Sequence, residues 1–158
     1  MSASSPEPQR LHPADPGFEP RVRASFNRQQ LMHTLGARMG TVAPGEVELL
    51  LDFDERLTQQ HGFVHGGALA ALLDTACGYA AATLMPADAG VLTVEFKVNF
   101  LAPAAGTHFR FLGRVRRAGR TLSFVEAEAL ACTAERTRVI ATTQATMMTV
   151  TGRDDIRH

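Results

Sequence analysis

The clearest signal in the chain is a period of two. Between residues 91 and 100, Leu92, Val94, Phe96, Val98 and Phe100 alternate with Thr93, Glu95, Lys97 and Asn99, the pattern of a half-buried strand. Residues 46–53 alternate in the same way, with Val47, Leu49, Leu51 and Phe53 expected on the buried face. A shorter strand over 38–42 is expected before them, turned by Pro44-Gly45. Residues 107–117 and 121–132 flank a tight Ala118-Gly119 turn and predict a hairpin. A last strand is expected over 138–150, after a turn around Glu135-Arg136. Helical spacing appears at Val22, Phe26, Leu31 and Leu35, predicting a helix over 21–35 that stops at Gly36.

One stretch is apolar without a period. Residues 66–85 carry a single charge, Asp74, and run from His65-Gly66-Gly67 to Pro86. A carboxylate at mid-span argues against a helix embedded in lipid, and all-round apolarity points to burial inside protein. A helix of this kind has to be enclosed, and the sheet is the only element large enough to do it. The expected fold is therefore α+β, a long central helix wrapped by a curved antiparallel β-sheet. Residues 21–150 form the expected single domain. Residues 1–20, rich in Ser and Pro with no apolar run, read as a disordered or loosely docked lead-in rather than a signal peptide. Residues 151–158 read as a tail.

Composition narrows the partners. Sixteen Lys and Arg balance sixteen Asp and Glu among 158 residues, so no global field favours nucleic acid or an anionic membrane. Two cysteines, Cys77 and Cys132, form no CxxC pair, and a reducing cytoplasm is the expected location.

Candidate chemistry centres on the apolar helix. Asp has poor propensity at mid-helix, and burial is a means of tuning a carboxylate for catalysis. Asp74 is the first candidate on those grounds; the structural alternative is a carboxylate bonded to nearby backbone or facing a second subunit. The first helical turn leaves N–H groups without intrahelical partners, and the glycines of His65-Gly66-Gly67 would let a ligand oxygen approach them. Such donors suit an oxyanion, although a glycine pair can also simply turn the chain. The polar connection before them holds Gln59, Gln60 and His61. His61 and His65 lack a third ligand at any readable spacing, so no metal is expected. Cys77 has no histidine nearby on the helix to activate it and reads as a small buried hydrophobe. Arg114, Arg116, Arg117 and Arg120 surround the hairpin turn. They suit either a phosphorylated small ligand or a solvated tip that discourages edge pairing.

These pieces together resemble a known family. The run LTQQHGFVHGGALAALLDTACGYAA, then VLTVEFKVNFLAP, RRAGRT and IATTQATMM, is similar to the PaaI-type hotdog-fold acyl-CoA thioesterases over roughly residues 26–150. The resemblance implies hydrolysis of acyl-CoA without metal or cofactor, in a dimer or a dimer of dimers (a homotetramer). By position it implies that Asp74 is the catalytic carboxylate, as general base or as nucleophile. It implies that the Gly66 N–H polarises the thioester carbonyl across a dimer interface. His65 matches the motif histidine that helps shape the site, and Gly67 beside it is expected among the substrate-binding residues. Gln59 stands where members place an amide near the carbonyl or water, and Thr93 matches a hydroxyl that positions water. Arg116, Arg117 and Arg120 lie where the nucleotide end of CoA rests. Some branches carry Glu on the helix; this chain carries Asp74. The rival reading is a non-catalytic acyl-CoA-binding module, which would keep the glycines and arginines but has no use for an acid at mid-helix.

Overall fold

A computed structural model of the protein describes residues 11–153, 155 and 156. The chain runs α1 (Phe18–Phe26), α2 (Gln30–Leu35), β1 (Arg38–Ala43), β2 (Glu46–Asp52), α3 (Gly66–Ala82), β3 (Gly90–Phe100), β4 (His108–Ala118), β5 (Leu122–Cys132) and β6 (Thr137–Val150). All strands pair antiparallel in one six-stranded sheet of order β1-β2-β4-β5-β6-β3. The first half of the expected lead-in, residues 1–10, lies outside the described residues. In its second half, Ala14 N–H donates to the Leu84 carbonyl at 3.2 Å, and Asp15 pairs with Arg21 at 2.8 Å.

The sheet does not curl around the helix. It is open: β1 and β3 form its two edges and do not meet, and α3 lies against one face. The expectation of a curved wrap fails because much of the helix is alanine and glycine, which need little cover. Ala68, Ala71, Asp74, Thr75 and Gly78 stay only half-buried on α3, while Leu69, Leu72, Leu73, Ala76 and Cys77 are buried. The expected N-terminal helix also divides. Asn27 and the two residues after it break the spiral, so Met32 rather than Leu31 enters the core; Leu31 is exposed. Gly36 ends α2 at φ 74°, a left-handed cap that glycine adopts without penalty. Phe53, expected inside, lies past the end of β2 and is exposed.

The helix-facing side of the sheet is filled by Phe109, Phe111, Leu49, Leu51 and Met147, all buried. Each large side chain contributes roughly 1.5–3 kcal/mol by leaving water. At one point the two layers approach backbone to backbone. A Cβ placed on Gly113 of β4 would sit 2.6 Å from the Ala76 carbonyl carbon, so only glycine fits. Gly113→Ala should therefore destabilise the protein by about 1–3 kcal/mol. Urea unfolding should record this as a lower midpoint with an unchanged slope.

The alternation in β3 conceals a bulge. Thr93 pairs with Met147 and Glu95 with Thr146, leaving Val94 as the extra residue. A bulge of this kind shifts every side chain before it to the other face. Thr93 thus shares the helix side with Phe96 and Phe100, and Leu92 turns outward beside Met148. The period-two reading had placed Thr93 opposite Phe96.

Candidate active site

Asp74 stands two turns into α3, beside the start of β3. Its Oδ1 accepts a hydrogen bond from Thr93 Oγ1 at 2.8 Å, a contact that exists because the β3 bulge turns Thr93 toward the helix. Burial pushes the Asp74 carboxyl above the ordinary carboxylate range, against the lowering effect of the Thr93 bond. Desolvation disfavours the charged form, whereas a donated hydrogen bond favours it. The pair opens on a cleft of about 430 Å³, walled further by Thr75, Gly78 and Tyr79 of α3 and by Ser25 and Gln29.

Gly66 occupies the first helical position. His65 caps the helix, its Nδ1 accepting from Gly67 N–H at 2.8 Å, while the His65 carbonyl receives Ala68 and Leu69 N–H. The cap binds the Gly67 donor and leaves the Gly66 N–H without a partner among the described residues. Gln59 is held by a tight loop: its N–H donates to the Phe63 carbonyl at 2.9 Å, and Gly62 makes the turn at φ 82°. The His61 N–H donates to Gln59 Oε1, so the Gln59 amide has its NH2 group left to offer. Gly66 and Gln59 line a second cleft of about 480 Å³, together with Phe63 and Phe100.

The candidate residues thus fall into two groups within one chain. Gly66 and Asp74 are eight residues apart, roughly 12 Å along the axis. Asp74 with Thr93, and Gly66 with Gln59, occupy separate clefts. The arginines form a third group on the sheet face away from α3. Arg116 donates to Glu126 at 2.6 Å, and Arg114 lies 3.5 Å from Glu46. Arg117 and Arg120 carry no ion pair among the described residues. Ser123 pairs with Met147, and Met147 with Thr93. The hairpin tip therefore emerges at the same end of the sheet as Thr93, two strand spacings or roughly 10 Å away.

Cys77 is fully buried one turn beyond Asp74, and burial, with the Asp74 charge, pushes its thiol far up. It is a packing residue. Among the described residues no group of three or more His, Cys, Asp or Glu side chains could hold a metal ion, and no helix is long and apolar enough to cross a membrane. Sequence reasoning missed Ser25, Gln29, Gly78 and Tyr79. The last two carry a signal in hindsight, lying about one turn past Asp74, but only tertiary packing brings Ser25 and Gln29 there.

One long helix laid across a single antiparallel sheet, with polar groups at the helix start and middle, defines the hotdog class. Residues 61–133 match the family described as the thioesterase superfamily. A protein of Saccharolobus solfataricus, named by inference as an esterase, is 32% identical over 108 residues, covering 68% of this chain and 71% of that one. Among solved structures, a thioesterase family protein from Silicibacter pomeroyi is 53% identical with a TM-score of 0.85, covering 86% of this chain and 100% of that one. A phenylacetic acid degradation-related protein from Ralstonia eutropha is 27% identical with a TM-score of 0.67, over 75% of this chain and 88% of that one. The chain belongs to the hotdog-fold thioesterase superfamily.

Proposed function

We propose that the protein is an acyl-CoA thioesterase, releasing a free carboxylic acid and CoA. The observation that carries this reading is the Asp74–Thr93 pair: a half-buried carboxylate, oriented by a hydroxyl and facing a cleft. Its raised proton affinity makes it a better base than a solvated carboxylate. In one route Asp74 takes a proton from water as that water attacks the carbonyl carbon. In the other its oxygen attacks directly, and water then hydrolyses the mixed anhydride. In both the C–S bond breaks and the thiolate leaves to be protonated. Thr93 has one proton, given to Asp74, so it acts by positioning the carboxylate and can meet water only as an acceptor.

The oxyanion falls to the unclaimed N–H of Gly66 and the Gln59 amide, with the positive end of α3 behind them. Because these donors and Asp74 lie in different clefts, the reading requires a second copy. The β3 edge suits one: Val94, Phe96 and Phe100 are 54%, 43% and 55% exposed on a strand with one unpaired side, the kind of edge that natural proteins cover. A two-fold pairing would place Gly66 of one protomer by Asp74 of the other, with two equal sites. A dimer or a dimer of dimers meets this requirement.

The test is thiol release from a panel of acyl-CoA esters; absence of turnover on short-, long- and aryl-chain members alike would favour a non-catalytic binding module. The same assay examines the arginines. We place the CoA nucleotide against the hairpin, where Arg117 and Arg120 have no ion pair among the described residues and Arg116 is engaged by Glu126. Replacing Arg117 and Arg120 by alanine should raise KM for CoA esters by about tenfold. It should leave kcat little changed, because phosphates bind alike in ground and transition states. With a pantetheine ester the increase should vanish. An equal increase for both esters would remove the arginines from phosphate binding.

A further inference from the structure

The cleft beside Gly66 differs in chemistry from the one beside Asp74. Among the described residues its walls carry one polar side chain, Gln59, and no ionisable one. Phe63, Val64, Leu69, Phe100 and Pro103 make it apolar, whereas the other cleft holds Asp74 and Arg28. Apolar walls around a few convergent polar groups are the usual make-up of a small-molecule site. Phe100 closes the cleft at the helix start. A Cβ on Gly66 would lie 3.0 Å from the tip of its ring, Cζ, and 3.3 Å from Cε1. The ring thus aims its far end at the backbone of Gly66 rather than into the core, and Phe100 stays 55% exposed.

The direction of the acyl group follows from where the other half of the ester goes. In the shared site the thioester carbonyl lies between Gly66 of one protomer and Asp74 of the other. The CoA arm leaves over the protomer that supplies Asp74, because that chain's arginine hairpin emerges at the Thr93 end of its sheet, two strands from β3. The acyl group leaves the carbonyl on the opposite side, over the protomer that supplies Gly66. We infer that the acyl group occupies the Gly66 cleft, that it is uncharged to its far end, and that Phe100 sets the breadth the cleft admits. This rests on the thioesterase reading and its shared site. A charged terminus there would give up water for side chains that return no counter-charge. The Phe100 ring leaves room for a straight chain and crowds a branched one.

The experiment measures kcat/KM for hexanoyl-, hexanedioyl-, 6-aminohexanoyl- and 3,3-dimethylbutanoyl-CoA on the full-length wild-type protein, Phe100→Leu and Phe100→Ala. Wild type should favour hexanoyl over either charged ester by about tenfold or more. Phe100→Ala should raise the ratio of 3,3-dimethylbutanoyl to its straight isomer hexanoyl at least about tenfold, with Phe100→Leu between. Each ratio compares two substrates on one sample, so a smaller folded or paired fraction in a variant leaves it unmoved. A preference for the 6-aminohexanoyl ester would seat the acyl group by the Asp74 carboxylate and overturn the assignment. Parity of hexanedioyl with hexanoyl would overturn it equally, as would turnover of other panel esters but not of hexanoyl. An unchanged branched-to-straight ratio in both variants, whatever their absolute rates, would remove Phe100 from selectivity. If wild type hydrolyses none of the four, nor any ester of the wider panel, the thioesterase reading fails and this inference falls with it.

Discussion

Asp74→Asn is expected to lower kcat on acyl-CoA esters by about 10²–10⁴, the range for losing a positioned base, while changing KM far less, since the carboxylate acts chiefly in the transition state. The fold should persist. Burial raises the Asp74 carboxyl's proton affinity in the folded state, so the native protein binds this proton more tightly than the unfolded chain does. For such a group stability falls as pH rises from the unfolded-state value through the folded one. The neutral amide removes that penalty, and Tm at pH 7 should be equal to or above that of wild type. The same raised affinity should appear in wild-type kinetics: log kcat/KM should decline on the acid side with a midpoint above the ordinary carboxylate value. Thr93→Val, which deletes a bond that lowers this affinity, should move the midpoint higher still. Near-normal turnover by Asp74→Asn on every substrate of the panel would refute the assignment.

The second large effect is recovery of activity from two dead proteins. Asp74→Ala lacks the base. Gly66→Val is blocked because a Cβ at Gly66 would lie 3.0 Å from the Phe100 ring, in the cleft where the donors meet. If each site draws Gly66 from one protomer and Asp74 from the other, a mixed dimer has one doubly defective site and one intact site. Mixing under conditions of subunit exchange should restore up to half of the wild-type activity per mixed dimer, from a baseline near zero. Mass spectrometry can establish the exchange independently. Exchange without recovered activity would sink the shared-site arrangement. It would leave the separation of roughly 12 Å along α3 without a catalytic explanation.

How far the sequence reveals these features depends on which force sets each one. The strands are legible because their two faces meet different media; Val47, Leu49 and Leu51 are all buried as their alternation predicts. Asp74 is legible because a charge in an apolar helix is conspicuous. Closure of the sheet was misread because alanine counts as apolar yet needs no enclosure, so composition alone overstates how completely α3 must be covered. The β3 bulge leaves the alternation of letters intact while exchanging the faces, and the Thr93–Asp74 contact is therefore invisible to periodicity; Thr93 entered only through the family resemblance. The break between α1 and α2 carries no glycine or proline, and it is this break that positions Gln29 at the cleft.

The cap at the start of α3 also settles the electronic form of a histidine. Because His65 Nδ1 receives the Gly67 N–H, that nitrogen presents its lone pair inward and the proton of the neutral ring resides on Nε2. The ring can therefore donate to its surroundings but cannot accept through the nitrogen that faces the helix. Placing a proton on Nδ1 would set two donors against each other and release the first turn, the turn that presents the Gly66 N–H. The tautomer of this imidazole is thus linked to the shape of the helix start. The histidine of the motif serves as a latch on backbone geometry, a different part from the one proposed for the carboxylate two turns away.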